Sequence, residues 1–134
     1  MSTRRLCVAG TLAFCIAMPA HAAPDASRGQ QLYARCEACH APAYERVGPH
    51  HCGLFGRVAG SVPDFSYSPA MRNSKIVWSD KTLDRFLERP LQVVPGSTMT
   101  YDGVPDARDR ADLIAYLKHM NNAPECAKKV EPKR

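Results

Sequence analysis

Apolar residues recur at helical spacing in several stretches of this chain and alternate convincingly in none. The strongest stripe is Leu113, Tyr116, Leu117 and Met120, at i, i+3, i+4 and i+7, which predicts a helix from Ala107 to about Met120. Asn121-Asn122 and Pro124 end it. A second stripe, Leu83, Phe86 and Leu87, predicts a helix capped by Ser79-Asp80 and stopped by Pro90. Another helix is expected from Ala26 to about Cys36, started by Pro24-Asp25 with Asp25 as its N-cap. Within it Gly29 lies four residues before Tyr33 on the same face, where a missing side chain permits close helix approach. Phe65 to Asn73 is expected to contain a short helix. Ala41 to Pro63 and Leu91 to Gly103 carry no period and are punctuated as turns by Gly48-Pro49, Gly53, Gly56, Gly60 and Pro95-Gly96. The first of these irregular stretches is long for a compact domain unless it packs on something. The pattern reads as an all-α chain without repeats or low-complexity linkers.

The chain's 134 residues suffice for one domain around one core. Residues 1–22 read as an export signal. Arg4 and Arg5 form a basic start, Leu6 to Met18 is an apolar run too short to span a bilayer, and Ala20-His21-Ala22 fits the small-x-small cleavage rule. The mature domain is then expected over residues 23–134, in the periplasm. Cleavage removes two arginines and none of the 13 acids, so the formal charge falls from +5 to +3. That is far from the charge of a nucleic-acid binder, and no nucleic-acid partner is expected. Much of the excess lies in Ala127 to Arg134, expected to be a solvated, frayed tail.

The cysteines sharpen the picture. Cys7 and Cys15 leave with the signal, and Cys36 and Cys39 belong to the motif discussed next. Cys52 and Cys126 remain, an even pair in an exported chain, where disulfides persist, so a bridge is expected over the alternative of two buried thiols. It would close a loop of about 74 residues, which the chain-entropy picture values at roughly 4 to 4.5 kcal/mol.

Cys36-Glu37-Ala38-Cys39-His40 is the attachment pattern of c-type haem. Two sulfurs on one helical turn can add to the two vinyl groups of one porphyrin, and the adjacent imidazole can bind the iron. A zinc site would need further ligands at a spacing that His50 and His51 do not provide, and a thioredoxin-like reading lacks the flanking strand-helix-strand pattern. A haem disc would also supply the surface that the irregular stretch after His40 needs. The sixth iron ligand must arrive from another segment. Met71, Met99, Met120, His50, His51 and His119 are the candidates. Met120 serves the core stripe, and Met71 falls in a short helix able to pack at the haem edge. Met99 sits in a polar loop bounded by Pro95-Gly96 and Gly103, with no helix face to serve, so ligation explains it better than packing. A thioether favours Fe(II) and raises the potential relative to two imidazoles.

Taken in order, these residues resemble class I cytochrome c, especially its bacterial cytochrome c2 and mitochondrial branch. The resemblance runs over nearly all of Asp25 to Asn121. It is carried by Gly29-x-x-x-Tyr33-x-x-Cys36-x-x-Cys39-His40, Gly48-Pro49, Gly53-Leu54-Phe55-Gly56-Arg57, Phe65-Ser66-Tyr67-Ser68, Trp78, Pro95-Gly96-Ser97-x-Met99 and Arg110-x-Asp112-Leu113-Ile114-Ala115-Tyr116-Leu117. It implies a single-domain fold of three to five helices wrapped around one covalent haem c, with the terminal helices crossing where Gly29 and Tyr33 meet Leu113 and Tyr116. It implies that the Pro49 carbonyl accepts the second ring N–H of His40, and that Arg57, Tyr67 and Trp78 hydrogen-bond or neutralise a buried haem propionate. On a blander reading, those three are a surface arginine and two core aromatics.

The chain departs from the family where His51 replaces a usual Leu, Phe86 a common Tyr and Met71 a common Asn. The last two substitutions imply a drier crevice with fewer buried hydrogen bonds. Arg35 and Arg46 remain of a basic rim, while Leu91, Gln92 and Thr98 stand at positions often basic in mitochondrial relatives. Docking should therefore depend less steeply on salt than in those relatives.

The function expected from the resemblance is a soluble, monomeric periplasmic carrier of single electrons, not an enzyme. It would exchange electrons by outer-sphere transfer through the haem edge with membrane or periplasmic oxidoreductases or a terminal oxidase. An alternative is a haem c subunit of a periplasmic dehydrogenase complex. A haem enzyme or gas sensor would need an open sixth position.

Overall fold

The computed structural model describes residues 22–130. The expected signal, apart from Ala22, and the last four residues of the basic tail lie outside them. The described residues form six helices: α1 (Ala26–Tyr33), α2 (Pro69–Asn73), α3 (Asp80–Glu88), α4 (Pro90–Val93), α5 (Ala107–Asn121) and α6 (Pro124–Val130). Among them no strand is formed, only an isolated antiparallel bridge between Val58 and Val77, and no helix is long and apolar enough to cross a membrane.

The crossing of α1 and α5 dominates the packing. The Asp25 carboxylate caps α1 by accepting from the backbone N–H groups of Ser27 (2.8 Å) and Arg28 (3.3 Å). One turn on, a Cβ at Gly29 would lie 1.9 Å from the Asp112 carbonyl oxygen and 2.8 Å from Tyr116 Cβ, so the two backbones touch at a spot only glycine fits. Asp112 is completely buried there. It accepts the Asp25 N–H at 2.7 Å, Arg28 Nη1 at 2.5 Å and Arg108 Nε at 3.2 Å. Arg108 also donates to the Ala22 and Ala23 carbonyls, at 2.8 and 3.0 Å, so the entry to α1 is pinned to the side of α5. The Asp106 side chain caps α5, and Leu113, Leu117 and Met120 are buried along it.

α1 is shorter than its sequence pattern suggests. It ends at Tyr33, and residues 34–39 form tight turns in which the Cys36 N–H bonds the Tyr33 carbonyl and those of Cys39 and His40 both bond the Cys36 carbonyl. The Cys36 and Cys39 bonds are of the i→i+3 kind that tightens helix ends. α3 begins with a reciprocal capping box between Ser79 and Thr82 and buries Leu83, Phe86 and Leu87. Pro90 ends α3 and also starts α4 in what reads in sequence as loop, because a proline fits the first position of a helix. At the C-terminus, α6 replaces the expected frayed tail as far as Val130. Its Cys126 is buried and bonded to Cys52, with an S–S distance of 1.98 Å and 5.0 Å between Cα atoms. These two short helices, α4 and α6, take the count beyond the three to five expected.

The irregular stretch after His40 lies against the segment leading into α3. Gly56 N–H donates to the Trp78 carbonyl, Trp78 N–H to Arg57 and Ala59 N–H to Ile76, at 2.7 to 2.9 Å. These links wrap residues 41–63 around one side of a cavity whose other sides are α3, α5 and residues 97–101.

Candidate functional site

The cavity holds about 280 Å³ and its wall is mostly apolar. The turn after α1 brings Cys36, Cys39 and His40 to it together. Burial raises the Cys36 thiol to about 11, so in the unattached chain that sulfur is an uncharged thiol at neutral pH.

His40 is held in one tautomer. Its Nδ1 lies 2.7 Å from the Pro49 carbonyl, which can only accept, so Nδ1 carries the proton and Nε2 keeps its lone pair. Burial lowers the affinity of this imidazole for a second proton, against the pull of the Pro49 carbonyl. Gly48, just before, lies so close that a Cβ there would stand 2.3 Å from Cε1 of the ring. Both features fix a neutral imidazole with one free nitrogen, the form a metal requires, and its partner carbonyl is the kind of group that orients metal-bound histidines.

Among the six sixth-ligand candidates, the structure separates the cavity from its surroundings. His119 is exposed and His50 pairs with Glu45, and neither lines the cavity; nor does Met120, buried in the core. His51 does line it, but its ring stacks on His40 with centroids 4.3 Å apart and planes 22° from parallel. It therefore shares the His40 side. Met71, on α2, and Met99, in the loop before α5, both line the cavity as well. Met99 is half-buried, its N–H donating to the Ser97 hydroxyl at 3.2 Å.

Arg57, Tyr67 and Trp78 come together on the same wall. Arg57 Nη2 donates to the His50 carbonyl at 2.8 Å and Nη1 to that of Cys52 at 3.1 Å, strapping the loop that carries Pro49 and leaving further N–H groups for an anion. Burial lowers the Arg57 guanidinium and raises the Tyr67 phenol, and the nearby Arg57 charge partly offsets the rise at Tyr67. Trp78 is buried edge-on against Phe86, centroids 5.0 Å apart. Phe86 and Met71 also line the cavity.

A covalently attached haem fits these residues. Two thiols and a neutral imidazole meet at one end of an apolar cavity, thioethers are available elsewhere on its wall, and a cation lies beside a phenol. Two features carried no assigned role in the sequence: His51, expected near the proximal side and found stacked on His40, and the buried Asp112 that locks α1 onto α5. His51 had a signal: it stands just past the Gly48-Pro49 turn that lies against the His40 ring.

Comparison with known proteins agrees with this geometry. The family described as cytochrome c matches residues 26–121. The chain is 45% identical over 101 residues to cytochrome c2 of Rhodomicrobium vannielii, covering 73% of this chain and 81% of that one. It is 37% identical over 120 residues to cytochrome c2 of Blastochloris viridis, covering 87% and 94%. Among solved structures, cytochrome cH from Methylobacterium extorquens is similar at a TM-score of 0.69 and 35% identity, over 71% of this chain and 98% of that one.

Proposed function

Because the chain belongs to the cytochrome c family, whose members are electron carriers with covalently bound haem c, we propose that it is an exported, soluble, monomeric one-electron carrier with axial ligands His40 and Met99. When bound, the haem would supply the one-electron couple, and the residues of this chain would hold it and shield the iron from substrates. Cys36 and Cys39 form the thioether links. His40 offers Nε2 while Pro49 holds Nδ1, and Met99 offers its sulfur from the opposite loop. Arg57, Tyr67 and Trp78 receive a propionate. Residues 1–22 direct export and residues 23–134 form the working domain in the periplasm, with Cys52 and Cys126 bridged there. The partners are membrane or periplasmic oxidoreductases, or a terminal oxidase, that meet the protein transiently.

The observation that carries this reading is the neutral, singly committed imidazole of His40 in the same cavity as two thiols and a loop methionine. A site saturated by imidazole and thioether leaves no vacancy for a reactant, which separates a carrier from a haem enzyme or gas sensor. The absorption spectrum of the oxidised holoprotein tests it. A weak sulfur-to-iron band at the red end is expected, lost in Met99→Ala and kept in Met71→Ala. A band that survives Met99→Ala and disappears in Met71→Ala would transfer the ligand to α2. Binding of carbon monoxide by the reduced parent at neutral pH would overturn the carrier reading altogether.

A further inference from the structure

His51 has no part in the proposed ligand set, yet its ring is the nearest flat surface to His40. The two imidazoles stack with centroids 4.3 Å apart and an interplanar angle of 22°. The His51 ring is itself tethered. Its Nδ1 lies 3.0 Å from the hydroxyl of Tyr33, a residue only 1% exposed at the end of α1, whose ring packs at 5.2 Å on that of Tyr116 in α5. The backbone is held as firmly. The His51 N–H donates to the Ala41 and Pro42 carbonyls at 3.3 and 3.2 Å, and the next residue, Cys52, donates to Pro42 at 2.8 Å and is bonded to Cys126.

The Pro49 carbonyl meets one edge of the His40 ring. A single in-line hydrogen bond fixes where an edge points but resists rocking of the ring about that bond only weakly. A flat neighbour across the ring face opposes that motion. We infer that His51 is a positioning residue: anchored by the Tyr33 hydroxyl, its ring sets the plane in which His40 presents Nε2. A leucine here would fill the space but offer no flat face, and would leave the buried Tyr33 hydroxyl without its partner. The inference rests on His40 as the proximal ligand.

The test uses the oxidised holoprotein, in which the proton shifts of the four haem methyl groups follow the orientation of the axial imidazole plane. His51→Leu is expected to change the order or spread of these shifts. Tyr33→Phe, which removes the tether and keeps both rings, should change them in the same sense by a smaller amount. His51→Phe keeps a flat face and loses only the tether, so it should follow Tyr33→Phe, and with that variant it decides the matter if His51→Leu does not attach haem. Low-spin variants with the methyl pattern of the parent, even if their melting temperatures fall, would reduce His51 to a packing residue and overturn the inference. So would a change in Tyr33→Phe with none in His51→Leu. A parent that is not low-spin would instead count against the ligand reading on which the inference rests.

Discussion

Gly29→Ala sets a local preference against a tertiary contact, and the structure says which prevails. Alanine is the better helix former by about 1 kcal/mol, so α1 taken alone would gain. In the folded protein the new Cβ would stand 1.9 Å from the Asp112 carbonyl oxygen and 2.6 Å from its carbon, where ordinary contact starts at 3.4 Å. The deficit at the oxygen is 1.5 Å, the difference of those two distances, and both offending atoms are backbone, so no rotamer change relieves it. α1 is also tied to the same turn of α5 through the Asp25 N–H and Arg28 bonds to Asp112. Withdrawal would stretch those bonds as well as the Tyr33–Tyr116 contact. Overpacking of a close-packed site costs about 1 to 3 kcal/mol, and a gap of this width forfeits much of the dispersion along the crossing. With the helix gain deducted, the net loss is expected to reach up to about 2 kcal/mol, or a melting temperature lower by up to about 10 °C. Guanidinium titration of the holoprotein, followed by far-UV circular dichroism, measures it, and Gly29→Val should lose more. A Gly29→Ala variant as stable as the parent would show that the backbones do not meet at this crossing.

The Cys52–Cys126 bridge closes a 74-residue separation, so the double variant Cys52→Ser, Cys126→Ser should lose up to roughly 4 kcal/mol in the same titration. An unchanged midpoint would mean the bridge does not form in the isolated protein. Asp112 gives a pH signature. Burial acts to raise its carboxyl, but the Asp25 N–H, Arg28 and Arg108 outweigh it and hold the group below its ordinary 3.8. A carboxylate lowered by folding contributes its full stabilisation above the unfolded value and loses it as pH falls through the lower folded one. Stability of the parent should therefore drop below about pH 4, and Asp112→Asn, less stable at neutrality, should lack that part of the slope. Equal slopes would deny the ion-paired carboxylate its role. Among the described residues that line the cavity, Arg35 is the exposed cation, beside the exposed Val47 and Thr98. Electron-transfer rates with a purified redox partner should fall only gently as salt is raised, and a steep fall would contradict this.

The helices that position the site were legible because their signals are local. Asp25, Ser79 and Asp106 cap where N-cap chemistry requires, and the stripes of α3 and α5 face the core. α4 and α6 were not legible. Four and seven residues are too few to show a period, and α6 is fastened by a bridge that sequence can suggest but not place. The buried charges escaped for a related reason. Arg110 lies on the stripe itself, seven residues before Leu117, and Asp112 at its edge, four before Tyr116, but a charged residue carries no apolar signal and so does not mark itself as buried. Yet α1 covers Asp112, while Arg110 is held by Asp84 and by the carbonyls of Val104 and Pro105. No single-helix pattern contains the neighbour that buries them.

The two ends of the cavity differ in the same way. On the His40 side the paired cysteines, the imidazole and the Gly48-Pro49 turn that holds its edge all lie between Cys36 and Pro49. Short separation is why the attachment motif could be read directly. The rest of the lining is assembled from α2, α3, α5 and residues 97–101, and there Met99 stands out as a methionine in a polar loop with no helix face to serve. Met71 lines the cavity too, from a short helix on which it is buried. Sequence separation thus sorts the ligand candidates: His40 is fixed by neighbours within its own segment, whereas Met71 and Met99 reach the cavity from 31 and 59 residues further along the chain (71 minus 40 and 99 minus 40).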